Sequence, residues 1–502
     1  MNQHLNISSD TRTTSTIQDI MARFGVSRED LTKVLQTAMS TGGDFADLFF
    51  EHTFDSKLSL RDGEVNAVGA NIDFGMGVRV VNGDQTGYAY TENITLEEMM
   101  KAAKTASRIA VGTGSDLHFA FQASPRRGSF YPLLHAWEKA GVDMKQPFLQ
   151  RLNERIFSLS EHVSKVLISQ TNTMSYVLYA NSDGVLSFDE RPMGTLSVTC
   201  IMERNGQVEN GRAARAFRMG SEFLTNDLIE TLAQEVVAQT LFLFDAVTPK
   251  GGEMPVVMAA GGSGILLHEA IGHAFEADFN RKQISIFSDK LGQKICDTSI
   301  SVVDDGTIPY NRGAVNMDDE GIEGQKTYLV KDGILTNYLH DRISARHYGV
   351  MPTGNGRRQS FRFAPIPRMR ATYMENGQAK EEDLIASVSK GIYVDSFTNG
   401  QVQIGAGDFT FFVKKGYLIE NGKLTQPVKD INIIGNGPKA LADIQLVAGN
   451  YQMDNGTWTC GKDGQSCPVT CGMPSVLVSK LTVGGSGDFL LSTTFFLKHY
   501  LI

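Results

Sequence analysis

One ten-residue stretch constrains this chain more than any other. Gly264-Ile265-Leu266-Leu267-His268-Glu269-Ala270-Ile271-Gly272-His273 sets two imidazoles and a carboxylate inside a short apolar run. Two neutral imidazoles suit a divalent transition metal, and a glutamate beside the first is placed to deprotonate a water activated by that metal. This is the equipment of a metal-assisted hydrolase, above all a peptidase. The spacing then restricts the backbone. Histidines four apart on a helix differ by ~40° and can meet one ion. His268 and His273 are five apart, which in a regular helix means roughly 140° and ~7.5 Å of rise. Two ligands held ~2.0–2.1 Å from one zinc cannot be so disposed. Either the two residues are unrelated, or the turn between them carries one extra residue as a π-bulge with i→i+5 bonding. Gly272, lacking a Cβ, would relieve crowding in such a turn.

At 502 residues the chain exceeds what one hydrophobic core organises, so two domains are expected. The segment Ala246-Val247-Thr248-Pro249-Lys250-Gly251-Gly252 has turn chemistry and no periodicity, which separates residues 20–245 from a C-terminal metal-binding catalytic domain, 253–502. Residues 1–19 are polar, rich in Ser, Thr and Asn, and are expected to be a disordered leader before a helix at Ile20–Phe24. They lack the basic and apolar parts of a signal peptide, and no apolar run approaches the ~20 residues that cross a bilayer. A cytoplasmic protein without membrane attachment is the default. The net charge of −9 argues against a nucleic-acid partner, which calls for a basic face. Pro125-Arg126-Arg127 and the Arg357-Arg358…Arg362…Arg368…Arg370 series are the basic clusters; a solvated or peptide-binding loop is the expectation for the second. Five cysteines, odd in number and sparse, do not make a secreted disulfide framework.

The first half alternates strands and helices. Val78–Asn82 and Thr86–Tyr90 flank a Gly83-Asp84 turn, and Thr95 opens a helix stripe of Leu96, Met99, Ala103 and Ala106. A helix is expected at Phe148–Leu159, strands at 166–170, 175–180 and 196–203, and a helix at Leu228–Leu241. The second half reads as short glycine-rich strands, with helices only at the metal motif, Glu381–Lys390 and Pro438–Ile444. Mixed elements without a regular βαβ repeat indicate an α+β fold with mostly antiparallel sheets and the metal site on a helix of the C-terminal domain.

A catalytic zinc takes three protein ligands and keeps a position open. His268 and His273 supply two. For the third, the residues offer Glu276, Asp278, His340, His347, Asp304, Asp305 and the late cysteines; spacing favours Glu276. Glu269 is the general base by position. His340 and the Arg357-Arg358 pair are secondary candidates for stabilising an oxyanion or a peptide carboxylate. Asp304-Asp305 and Asp318-Asp319-Glu320 could orient a histidine ligand, although turn residues or solvated charges are the plainer reading.

The strand at Val256–Ala260, the turn Gly261-Gly262-Ser263-Gly264 and the motif through Arg281 resemble the TldD branch of the TldD/PmbA family, metalloproteases once described as modulators of DNA gyrase. The similarity continues through Val303-Asp304-Asp305-Gly306-Thr307, Asp318-Asp319-Glu320-Gly321 and Pro352-Thr353-Gly354-Asn355-Gly356-Arg357-Arg358. It returns at Gly400-Gln401-Val402, Cys460-Gly461-Lys462-Asp463-Gly464-Gln465 and Leu481-Thr482-Val483-Gly484-Gly485. The resemblance implies one zinc ion held by His268, His273 and Cys460, with Glu269 as base. It also implies peptide substrates, unfolded or small, including leader peptides of modified antibiotic precursors. A metal-free TldE/PmbA-type paralogue, or self-association, would enclose the site. Cys467 and Cys471 have no counterpart in the family pattern and are expected to be small buried hydrophobes. Members that have lost the metal residues set the alternative, a non-catalytic peptide-binding or assembly subunit.

Overall fold

The structure is a computed structural model that describes residues 15–110, 112, 119–123, 129–403 and 406–485. Most of the expected leader and the Pro125-Arg126-Arg127 cluster lie outside the described residues. The first helix begins earlier than its apolar residues suggest, at Ile17–Phe24, so residues 17–19 are helical rather than leader. Its start is fixed by a capping box: Thr16 Oγ1 accepts from the Asp19 amide while the Asp19 carboxylate accepts from the Thr16 amide at 2.8 Å. Each bond satisfies an amide that the helix itself leaves unpaired.

The first half builds a seven-stranded sheet in the order Gln85–Thr91, Glu64–Asn82, Phe45–Arg61, Val163–Asn181, Val185–Arg204, with Gln207–Phe217 and the short Gln122–Ala123 also on the Val185–Arg204 strand. Only the Gln122–Ala123 pairing is parallel. The strands expected at 166–170 and 175–180 are one strand, Val163–Asn181. The polar residues between them interrupt the apolar pattern but bond to neighbouring elements: Thr173 Oγ1 donates to Asp55 at 2.7 Å across the sheet, and Asn172 accepts from Ser56 at 2.8 Å across the sheet and from Lys145, on the helix Val142–Leu159, at 2.7 Å. The helices Val142–Leu159 and Asn226–Asp245 start before their expected limits. Phe148, Leu152 and Ile156 of one share a core with Leu232 and Val236 of the other and with Val166, Leu196 and Val198 of the sheet.

Two larger sheets follow. In one, Ile334–Leu335, Lys326–Lys331, Val302–Asp305, Ala371–Met374, Thr470–Met473 and Gln452–Asp454 are ordered side by side, leaving Gln452–Asp454 at an edge. In the other, Lys390–Gln403, Gly252–Met258, Val476–Gly484, Ile431–Asn436 and Asp408–Glu420 close on themselves, because the first also pairs with the last. Pairings are mostly antiparallel, and Lys390–Gln403 with Gly252–Met258 and Ala371–Met374 with Thr470–Met473 are parallel. The result is a mixed α and β fold with several mostly antiparallel sheets, as the sequence suggests. An unforeseen helix, Arg342–Tyr348, is nucleated by an Asp341–Ser344 capping box. The helices near 381 and 438 are short, Glu381–Ala386 and Gly437–Ala442. Among the described residues no helix is long and apolar enough to cross a membrane.

The metal motif sits where these sheets meet. Leu266, Ala270 and Ile271 share one core with Val256, Met258, Phe409, Ile433 and Val478. The approach is close enough to need glycine: a Cβ on Gly264 would lie 2.5 Å from the backbone nitrogen of Gly472, and one on Gly437 would lie 2.0 Å from the Ala270 carbonyl.

Candidate metal centre

The metal motif, expected on a helix of the C-terminal domain, is a succession of short helical turns. A 3₁₀ turn at Gly262–Gly264 leads into a π-helical segment at Leu267–Gly272, then a second 3₁₀ turn at His273–Phe275. The backbone straightens at Glu276 (φ −71°, ψ 125°) before a short α-helix, Ala277–Arg281. The His273 amide donates to the His268 carbonyl, the i→i+5 bond that a shared ion requires of this spacing. The two rings end 5.2 Å apart between centroids, nearly perpendicular at 79°.

The third group arrives on a separate hairpin, Thr459–Lys462 with Gln465–Pro468. Cys460 Sγ lies 3.2 Å from His273 Nε2, and one donor atom from each of His268, His273 and Cys460 falls within 4.8 Å of the others. All three side chains are buried, while Glu269 is half-buried. Both ring nitrogens of His268 are enclosed without a hydrogen-bond partner, which is costly for a polar group unless it has a ligand to bind. Burial pushes the Cys460 thiol up, but the adjacent His268 and His273 bring it down to about 4. Burial opposes charge on His273, yet Glu276 and Cys460 raise it well above its ordinary value. A pocket that so favours positive charge beside a thiolate suits a divalent cation. The donor set, two nitrogens and one sulfur within 4.8 Å of one another, is of the kind that tetrahedral zinc accepts.

Glu276, preferred by spacing as third ligand, turns its carboxylate to the other nitrogen of His273, accepting from Nδ1 at 2.9 Å. It therefore orients the imidazole and fixes which nitrogen faces Cys460. Glu276 also accepts from Lys462 Nζ at 3.0 Å, and Lys462 reaches Asp278 at 2.7 Å and the Pro367 carbonyl at 3.1 Å. Burial raises Glu276, but Lys462 and His273 together hold it down at about 2. Sequence reasoning missed Lys462, although strand alternation puts it on the same face as Cys460, two residues earlier. It also missed Arg368, fully buried, which donates to the Cys460 carbonyl at 2.6 Å and lies 3.5 Å from Cys467 Sγ.

The other candidates stand apart from this cluster. His340 is buried with Nδ1 unpartnered, and burial lowers it to about 4. Asp304, Asp305, Asp318, Asp319 and Glu320 are not solvated charges, since all are buried. Asp304 accepts from the Arg370 amide, Asn355 and Thr372, and Glu320 shares Arg79 with Asp47. The Arg357…Arg370 series is likewise no solvated loop: Arg357, Arg358, Arg368 and Arg370 are buried, and only Arg362 of these is partly exposed. Cys467 and Cys471 are buried free thiols, as expected of small core residues.

Three family models match the chain in order: PmbA/TldA metallopeptidase domain 1 over residues 46–110, the central domain over 136–242 and the C-terminal domain over 251–485. A metalloprotease TldD homologue of Haemophilus influenzae is 38% identical over 473 residues, covering 93% of this chain and 98% of that protein. A zinc metalloprotease TldD homologue of Saccharolobus solfataricus is 26% identical, covering 90% and 99%. Among solved structures, TldE from Thermococcus kodakarensis has the same fold at a TM-score of 0.72 and 18% identity, over 91% of this chain and 100% of that one. All three domains of the family are therefore accounted for, and with them the chain belongs to the PmbA/TldD metallopeptidase family, on its TldD branch.

Proposed function

We propose that the chain is a zinc-dependent peptidase whose single ion is held by His268, His273 and Cys460, with Glu269 as general base. The carrying observation is the convergence of those three donors around a π-helical turn, with both His268 nitrogens left without another partner. Such an ion, when bound, acidifies water and polarises the scissile carbonyl. Glu269, beside the first histidine and half-exposed, takes the proton. Glu276 and Lys462 keep His273 in one orientation and tautomer.

Residues 253–502 form the catalytic unit in this reading and residues 20–245 a second unit. The substrate is an extended, unfolded or small peptide. A cleft of about 460 Å³ runs beside the edge strand Gln452–Asp454 and reaches Gly261-Gly262, at the start of the metal-bearing segment. An edge strand with unpaired backbone groups accepts a peptide as an added strand. The fold shared with TldE supports pairing with a TldE-type partner, and this reading sets the pair in the cytoplasm. The test is zinc content and turnover of an unfolded casein-like substrate, for wild type and Cys460→Ala, with and without that partner. About one zinc per chain, lost in Cys460→Ala together with turnover, is expected. Undiminished zinc in the variant removes Cys460 from the ligand set, and peptide binding without zinc or turnover favours a non-catalytic subunit.

A further inference from the structure

Guanidinium groups in this chain are commonly matched to carboxylates. Arg79 lies between Asp47 and Glu320, Arg155 holds Glu230, and Arg362 holds Asp73 and Glu92. One cavity breaks the pattern. It encloses about 340 Å³ between the face of the first sheet and the second half of the chain, and is lined by Arg191, Arg218, Arg312, Arg357, Arg358 and Arg370. Only Glu51 and Asp319 oppose them on its walls.

Arg191 is engaged by Asp189 and Asp319, and Arg358 lies 3.9 Å from Asp47. The remaining four make no ion pair among the described residues. Arg312 donates to the Trp458 carbonyl at 3.1 Å, Arg357 to those of Met369 and Pro468, and Arg370 to that of Gly354 at 2.6 Å. Arg218 keeps a buried Nε with no partner. Burial, reinforced by neighbouring guanidiniums, pulls Arg312 down to about 10 and, against the opposing charges of Asp318 and Asp319, Arg370 to about 9. Glu51 offers little relief, since burial pushes it up to about 7. Arg218, Arg357 and Arg370 are buried and Arg312 partly so; leaving buried cations unpaired is costly, and an anionic ligand removes that cost.

The neighbouring geometry identifies the anion's carrier. Thr459 lines both this cavity and the cleft beside the edge strand Gln452–Asp454. It is the residue before Cys460, and strand alternation puts it on the opposite face of the hairpin. Its cross-strand neighbour Pro468 lines the cavity, while Cys460 pairs with Cys467. An extended peptide in the cleft would lie against Thr459, the wall that the cleft shares with the arginine cavity, next to the proposed ligand Cys460. Planar guanidinium forks match carboxylates bidentately, and Phe49, Met193 and Val315 give the cavity apolar walls for a side-chain stem. We propose that this cavity binds the carboxylate of a peptide substrate, at its C-terminus or on an acidic side chain, and so selects acidic peptides. The proposal rests on the peptidase reading above and names the charge class of its substrate.

The test is calorimetric titration of the full chain carrying Glu269→Gln, with tetraglutamate, amidated tetraglutamine and inorganic phosphate as probes, and with recovered peptide checked by mass. Tetraglutamate should bind, and tetraglutamine amide should bind at least about tenfold more weakly, the loss of charge-assisted hydrogen bonds. Arg312→Gln should weaken tetraglutamate by about tenfold or more on the same grounds. Thr195→Glu keeps every arginine but places a carboxylate on the cavity wall. It should abolish tetraglutamate binding and raise the melting temperature. Equal binding of the neutral peptide, full displacement by equimolar phosphate, or undiminished binding in Thr195→Glu would each overturn the proposal. Wild-type chain that binds tetraglutamate yet never cleaves an acidic peptide would leave this site standing and sink the peptidase reading instead.

Discussion

Changing Glu276 to leucine removes the acceptor that holds His273 Nδ1 and one of the two carboxylates that hold Lys462. Breaking a fully buried ion pair usually costs about 3–5 kcal/mol. Lys462 keeps Asp278 at 2.7 Å and the Pro367 carbonyl at 3.1 Å, so the lower end, about 3 kcal/mol, is expected for the metal-free protein. Freed of its partner, the His273 ring should bind metal about 10–100-fold more weakly, a loss of about 1.4–2.7 kcal/mol. Glu276→Gln keeps an oxygen to accept from Nδ1 but no charge, so it should fall near the tenfold end of that range. Competition against a chromophoric chelator gives the affinity, and urea unfolding of the metal-free chains gives the stability. Wild-type affinity in Glu276→Leu would refute the orienting role. A complete loss of the stoichiometric site in Glu276→Gln, equal to that in Cys460→Ala, would make Glu276 a ligand.

Glu269→Gln should lower peptide turnover by about 10²–10⁴-fold while zinc content stays at the wild-type level, both read on one sample; lost zinc would show that Glu269 supports the site itself. Glu51 has a folded value of about 7 against 4.5 in the unfolded chain, so the stability it contributes is present below pH 4.5 and lost as pH rises through 7. Its penalty at pH 8 is about 3 kcal/mol, so Glu51→Gln should be more stable than wild type there, with no gain at pH 4.5. Urea unfolding across that range checks it, and a gain independent of pH would count against it. Gly264→Ala should disrupt folding of the metal-bearing segment, because its Cβ would meet the backbone of Gly472 at 2.5 Å and neither backbone can step aside. A zinc-replete Gly264→Ala chain with unchanged unfolding would contradict this.

The irregular turn was legible because geometry leaves one solution to histidines five apart that share an ion. The proposed third donor is not legible from spacing, which sees only neighbours along the chain and so favours Glu276. Cys460 came from the resemblance, since nothing local announces a residue 187 positions from His273. The buried acids were misread for the same reason. Asp318-Asp319-Glu320-Gly321 has the composition of a solvated loop, yet the guanidinium of Arg79 that meets Glu320 lies 241 positions away. Pattern reading also cut the Val163–Asn181 strand in two, because polar residues bonded across a sheet interrupt the apolar pattern. What periodicity and caps could fix, the helix after Thr95 and the hairpin about Gly83, the structure retains.

The 187 positions between His273 and Cys460 also set an order of events during synthesis. A ribosome adding about 5–20 residues per second exposes the histidine pair roughly 10–40 s before the thiol emerges. Until then a growing chain would offer two of the three proposed donors, and an ion held by two donors alone would be loosely kept. The hairpin that brings Cys460 also carries Lys462, the residue that locks Glu276 behind His273. Donor and lock therefore reach the site together. For a chain whose proposed work is cutting unfolded peptides, this arrangement withholds the blade while the nascent chain is itself an unfolded peptide.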